Sequence, residues 1–181
     1  MRAFIAFPLP SSIKERLKEI EESLKGYPIK AKWVKPENLH LTLKFLGEIE
    51  EEKIADLKKI LEEMSNLSKI EVKLTNFGFF PSSSNPRVFF VSLDKEKELN
   101  LIDQKLEEKL APLGFPQEQR FKAHITLARI KEKKNIHLLK EKIKEVRLEE
   151  KFFLSQITLF KSILTPSGPI YEEIFKINLK E

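Results

Sequence analysis

Two tetrapeptides of this 181-residue chain share one polar pattern: His40-Leu41-Thr42-Leu43 and His124-Ile125-Thr126-Leu127, the histidines 84 positions apart. Successive side chains of a strand alternate between its faces, so in each tetrapeptide His and Thr point one way and the aliphatic pair points into the core. A single copy would read as a surface His and Thr on a half-buried strand. The repetition reverses that reading, because two copies on matching strands would face each other across a cleft if the two halves pack with approximate two-fold symmetry. Displacement at phosphorus needs a base for the incoming oxygen and an acid for the departing one, on opposite sides. Imidazoles can hold those complementary protonation states near pH 7. The hydroxyls of Thr42 and Thr126, two residues on and on the same face, can donate to the non-bridging oxygens. The third histidine, His137, has no such setting.

A cation for the phosphate could be Arg129, five residues after His124, or Lys44, four after His40. Strict alternation turns Arg129 to the face opposite His124, so it reaches the phosphate only if the strand twists, bulges or ends first; otherwise it is a solvated strand-end arginine. Two rival chemistries remain. A metal-dependent hydrolase would use the histidines as ligands, but only Glu37 and Glu48, at strand ends, accompany the motifs. A non-catalytic RNA-binding protein would keep basic and aromatic residues without needing paired motifs.

These residues must be positioned by alternating short strands and amphipathic helices. A strand is expected at 2–7, then a helix opened by a capping box from Ser12 to Glu15 and closed at Gly26. Residues 30–34 and 39–46 are expected to form a hairpin about Pro36-Glu37-Asn38. Ile54, Leu57, Leu61 and Met64 mark a second helix, a strand follows from Ile70 to near Gly78, and 79–86 reads as a loop. Beyond a strand at 87–93, Leu99, Ile102, Leu106 and Leu110 define a third helix closed by Gly114. A strand at 121–130, a helix at 136–146 and a hairpin of 152–164 with 170–179, turning at Thr165-Pro166-Ser167-Gly168, complete the chain. Hairpins beside helices, without strict βαβ alternation, give an α+β fold with antiparallel sheets, and no linker divides the chain.

Composition bounds the partners. With 41% hydrophobic and 34% charged residues the chain reads as globular, with a core that 181 residues can build unaided. Zero cysteines exclude thiolate nucleophiles, disulfides and Cys-based zinc sites. No apolar run is long enough to span a bilayer and the start lacks a cleavable leader, so a cytoplasmic location is expected. The net charge of +5 favours phosphate-bearing ligands, although many lysines simply alternate with glutamates on helix faces. Trp33 and the Phe79-Phe80 pair could stack on bases, but such residues more often pack in the core.

At the histidine motifs the sequence resembles the two-histidine (2H) phosphoesterases, and within them the LigT-like RNA 2',3'-cyclic phosphodiesterases, also called 2'-5' RNA ligases. The similarity runs through Met1 to Ala6, Glu37 to Gly47, Phe121 to Arg129 and Leu164 to Tyr171. It implies a bilobal, pseudo-two-fold-symmetric α+β fold over residues 1–181, a single domain with two antiparallel sheets facing a central cleft and helices packed outside. It further implies His40 and His124 as acid and base, Thr42, Thr126 and Arg129 as phosphate ligands, and no cofactor or metal. The implied reaction opens RNA 2',3'-cyclic phosphate ends, those of tRNA halves among them, to 2'-phosphomonoesters, with His124 as base and His40 as acid; run in reverse it would join ends through 2'-5' bonds. A monomer is expected. Where relatives often have proline before the second histidine, this chain has Ala123.

Overall fold

The computed structural model describes residues 1–118 and 121–181. The elements follow as β1 (Arg2–Pro8), α1 (Ser11–Lys25), β2 (Ala31–Trp33), β3 (His40–Glu48), α2 (Lys53–Glu63), β4 (Ile70–Pro81), β5 (Pro86–Leu93), α3 (Glu96–Leu110), β6 (His124–Ile130), α4 (Ile136–Ile143), β7 (Lys151–Leu154), β8 (Gln156–Thr165) and β9 (Gly168–Asn178). The helical periodicities hold: α1 buries Ile13, Leu17, Ile20 and Leu24, and α3 buries Leu99, Ile102, Leu106 and Leu110. These stripes join the inward residues of the strands, such as Ile5, Phe7, Leu41 and Ile125, in one core. Each fully buried Leu or Ile there stabilises the fold by about 1.5–3 kcal/mol.

All strand pairs are antiparallel, in the order β7-β4-β5-β6-β3-β1-β8-β9, with β2 attached to β6. The α+β expectation therefore holds, with one refinement: the two expected sheets are joined into one, through the single pair Leu41 and Ile125 of β3 and β6. β7 pairs with β4 near one edge and β8 pairs with β1 near the other, yet only Ser155 separates them in sequence. So short a connection is possible only because the sheet curls into a half-barrel.

Several local expectations need correction. Residues 30–34 do not form a hairpin with 39–46. Pro36–Asn38 make a 3-10 turn and β2 pairs with β6, as Ala31 with Ile130, Lys32 with Arg129 and Trp33 with Ala128. Half of the expected loop at 79–86 is strand, because Phe79, Phe80 and Pro81 find partners on β5, which begins at Pro86, and the loop shrinks to Ser82 to Asn85. The expected single strand at 152–164 breaks at Ser155 into β7 and β8. The capping box is not made, since α1 starts after Pro10 with no side-chain cap. The fourth helix ends at Ile143 rather than 146, and the strand expected from 121 begins at His124. The Thr165 to Gly168 turn is present, with Gly168 at φ +112, which a side chain would strain.

Candidate active site

Each motif histidine is the first residue of its strand, not an interior one as the alternation implied. Because the strand starts there, the ring folds back onto the preceding turn, and it does so identically twice. His40 Nδ1 donates to the Asn38 carbonyl at 2.6 Å, and His124 Nδ1 donates to the Lys122 carbonyl at 2.7 Å. A carbonyl only accepts, so the neutral rings carry their proton on Nδ1 and leave the Nε2 lone pair free to act. The Leu41–Ile125 pair fixes the antiparallel register between the motifs, setting His40 across from Thr126 and Thr42 across from His124.

Beyond each threonine comes a bulge. Phe90 faces Thr126 but Phe89 faces Ala128, so Leu127 is an extra residue on β6; Ala6 faces Thr42 but Ile5 faces Lys44, so Leu43 is extra on β3. Each insertion reverses the alternation. On β6 it sends Ala128 inward and Arg129 out to the face of His124 and Thr126, which removes the parity objection. On β3 it sends Lys44 inward, 3% exposed, where its ammonium meets the Glu107 carboxylate at 3.0 Å and the Pro116 carbonyl at 2.7 Å. Lys44 is thus not available to the cleft, and Phe45, 65% exposed, takes the place equivalent to Arg129.

His40, Thr42, His124, Thr126 and Arg129 all line one cleft of about 300 Å³. No Asp or Glu lines it among the described residues, and no cluster of three or more potential metal ligands exists among them. Sequence reasoning missed the aromatic setting. Phe4 lies 4.9 Å from the His40 ring, with Tyr171 edge-on at 5.4 Å; Phe80 and Phe90 stand edge-on to His124 at 4.8 and 5.5 Å. It also missed Asn38, whose Nδ2 donates to the Pro169 carbonyl at 2.9 Å and so ties the turn before His40 to the β8–β9 hairpin. The signal for Phe45 was the repeat itself, since the 84-residue offset between the histidines also relates Phe45 to Arg129. Trp33 borders the cleft but packs edge-on against Phe89 at 6.1 Å.

Burial depresses both imidazoles. It pushes His40 down to about 4, the His124 and Lys14 charges adding to it while the Asn38 carbonyl opposes. It lowers His124 as well, the nearby Lys122 ammonium in the same direction and the Lys122 carbonyl against. Burial raises the Tyr171 phenol, with the Arg129 charge pulling it back. One asymmetry separates the half-sites: the Thr42 hydroxyl donates to His40 Nε2 at 2.7 Å, a bond not formed between Thr126 and His124 among the described residues.

A strand-initial His with a Thr two residues on, occurring twice about one crossing point, suits a phosphoesterase. The chain belongs to the LigT-like phosphoesterase family, whose profile matches residues 7–90 and again 91–171. Similar curated proteins include one from Methanocaldococcus jannaschii, 41% identical with 96% of this chain and 98% of that protein covered, and one from Archaeoglobus fulgidus, 38% identical with 96% and 98% covered. Both are named RNA 2',3'-cyclic phosphodiesterase. A solved Thermus thermophilus protein superposes with a TM-score of 0.82 at 30% identity, with 99% of this chain and 98% of that one covered.

Proposed function

We propose that this chain is a metal-independent RNA 2',3'-cyclic 3'-phosphodiesterase with His40 and His124 as its acid-base pair. The observation that carries this reading is the crossing of the two motifs at Leu41 and Ile125, with both histidines, both threonines and Arg129 lining one cleft. In-line opening of the cyclic phosphate needs that arrangement. Water attacks phosphorus as one histidine takes its proton; the bond from phosphorus to O3' breaks as the other supplies a proton to O3'. The products are a 2'-phosphomonoester and a free 3'-hydroxyl. Thr42, Thr126 and Arg129 would hold the non-bridging oxygens, with Thr42 first turning its hydroxyl away from His40 Nε2.

We take His124 as the base that activates water and His40 as the acid that protonates O3'. Arg129, three residues past Thr126 and so toward the His40 end of β6, would hold the phosphate from that end, and exposed Phe45 offers a nucleobase an apolar face. A 5'-hydroxyl end replacing water in the reverse direction would form a 2'-5' bond. The acid-base reading needs no metal, and a cleft with no carboxylate among the described residues that line it offers a divalent ion little to bind. We read residues 1–181 as one bilobal domain, acting as a cytoplasmic monomer on RNA ends such as those of tRNA halves.

Replacement of each histidine tests this function. On an oligoribonucleotide ending in a 2',3'-cyclic phosphate, His40→Ala and His124→Ala should each lower turnover by about 10²-fold or more with the melting transition retained. Near-normal turnover by either variant would remove that histidine from the mechanism.

A further inference from the structure

The pairing of β2 with β6 has a consequence beyond the reacting centre. One edge of β6 is occupied by β5; β3 uses the other at Ile125 and then diverges, and β2 takes over that edge from Ala128 to Ile130. Lys32 consequently lies directly opposite Arg129, on the same face of the sheet, as paired residues of antiparallel strands do. Lys35 follows where the chain leaves β2, and both exposed lysines line the cleft with Arg129. Their neighbour Lys30 is neutralised by Glu132 at 3.1 Å, whereas Lys32 and Lys35 have no carboxylate partner among the described residues. Trp33, between them, is anchored inward on Phe89, so the short strand carrying the cations is held in place. Positive charge therefore extends sideways from Arg129 to Lys32 on β2 and on to Lys35, at the start of the turn that leads to His40, which is more cations than a single terminal phosphate requires. Phe45, Tyr171 and the β8–β9 turn from Ser167 to Pro169 supply an uncharged part of the lining.

Resting on the RNA-end reading above, we infer that Lys32 and Lys35 bind the internucleotide phosphates upstream of the reacting end, so that this rim selects oligoribonucleotides over cyclic mononucleotides. A cationic part and an uncharged part of one lining suit a single strand that turns its backbone to β2 and its bases to the uncharged part. The cations are exposed, so their contribution is electrostatic and salt-dependent.

The test compares 2',3'-cyclic AMP with a pentaribonucleotide ending in a 2',3'-cyclic phosphate, using the full chain and the double variant Lys32→Gln/Lys35→Gln. Both substitutions are on exposed side chains, and unchanged melting verifies the fold. The wild type should favour the pentamer in kcat/KM, and the variant should lose about tenfold on the pentamer but less than about twofold on cyclic AMP. Two lost phosphate contacts should also remove about sevenfold of the wild-type gain in pentamer kcat/KM between roughly 200 and 50 mM salt. Equal wild-type kcat/KM on the two substrates, or equal losses on both in the variant, would overturn the inference alone; equal losses would mean that the lysines serve the terminal phosphate. Absence of wild-type turnover on both substrates would overturn the phosphodiesterase reading, and the inference with it.

Discussion

Leu41 and Ile125, the residues that follow the two motif histidines, pair directly across the junction of β3 and β6 and are the only register pair joining those strands among the described residues. Their fully buried side chains sit in the common core. The polar residues on either side of each, His40 and Thr42, His124 and Thr126, consequently turn together to the opposite face and into the cleft. The bulges at Leu43 and Leu127 then give the halves different cations: a buried lysine in one, a cleft arginine in the other.

Arg129 and Lys44 should therefore separate function from stability. Arg129→Ala is expected to reduce kcat/KM by about 10²-fold, and Arg129→Lys to recover only part, because an ammonium cannot reproduce the planar fork. Lys44→Met should instead destabilise the fold by about 3–5 kcal/mol, since Glu107 is left buried without its partner, while turnover measured well below the melting transition stays within a fewfold of normal. Urea unfolding and steady-state kinetics decide it; a Lys44→Met protein of normal stability and no turnover would return Lys44 to the site.

The pH profile of kcat/KM should be acid-shifted. Catalysis needs one proton on the histidine pair. In the free protein that state lies between the depressed His40 value, about 4, and the His124 value, which burial holds below 6.5, so the proton rests mainly on His124 and must pass to His40 before the assigned acid-base step. Activity should already be falling at pH 6.5 as the last proton leaves, and should fall again below about 4 as the second arrives. Binding an anionic phosphate favours imidazolium, so the kcat profile should lie to the alkaline side of the kcat/KM profile. A kcat/KM that stays level from pH 5 to about 9 would contradict this pairing.

Gly78 supports the site from behind. A Cβ at this position would lie 2.5 Å from Cζ of Phe90, a ring stacked on Phe80 at 4.1 Å and edge-on to His124 at 5.5 Å. Gly78→Ala should thus cost about 1–3 kcal/mol in overpacking and lower kcat by displacing the rings that flank His124. Unchanged kcat in a folded Gly78→Ala protein would show that those rings do not position the histidine.

Away from the cleft, α1 buries Glu21 completely, with no hydrogen-bond partner for either oxygen among the described residues, and burial raises its carboxyl from 4.5 to about 8. Since the folded value lies above the unfolded one, the stability tied to the neutral form is present in full below 4.5 and is lost as pH rises through about 8. Glu21→Gln, which cannot ionise, should gain about 1–3 kcal/mol relative to the wild type at alkaline pH and little at acid pH. Denaturant unfolding at the two extremes measures it; a parallel pH dependence in both proteins would exclude Glu21 as its source.

The histidines and threonines were legible in the sequence because each pair lies within three residues, where alternation alone decides which side chains turn together. Arg129 was not settled by alternation, since its face depends on an extra residue at Leu127 that only the pairing with Phe89 and Phe90 reveals. Lys44 misled for the same reason at Leu43. β2 was legible as a strand but not in its partner: Trp33 and Ala128 are 95 positions apart, and the short turn at Pro36 suggested the nearer neighbour. The break at Ser155 was hidden because residues on both sides favour strand, and only the curl of the sheet sends them to different partners. Helix faces, set by local periodicity against one core, were read correctly.

The most direct test of two-histidine, metal-free chemistry is incubation of the chain with an oligoribonucleotide ending in a 2',3'-cyclic phosphate in excess chelator, followed by identification of the terminal phosphate. The predicted result is undiminished turnover yielding a 2'-phosphomonoester with a free 3'-hydroxyl. Loss of turnover that zinc or manganese restores, or release of a 3'-phosphate instead, would contradict it.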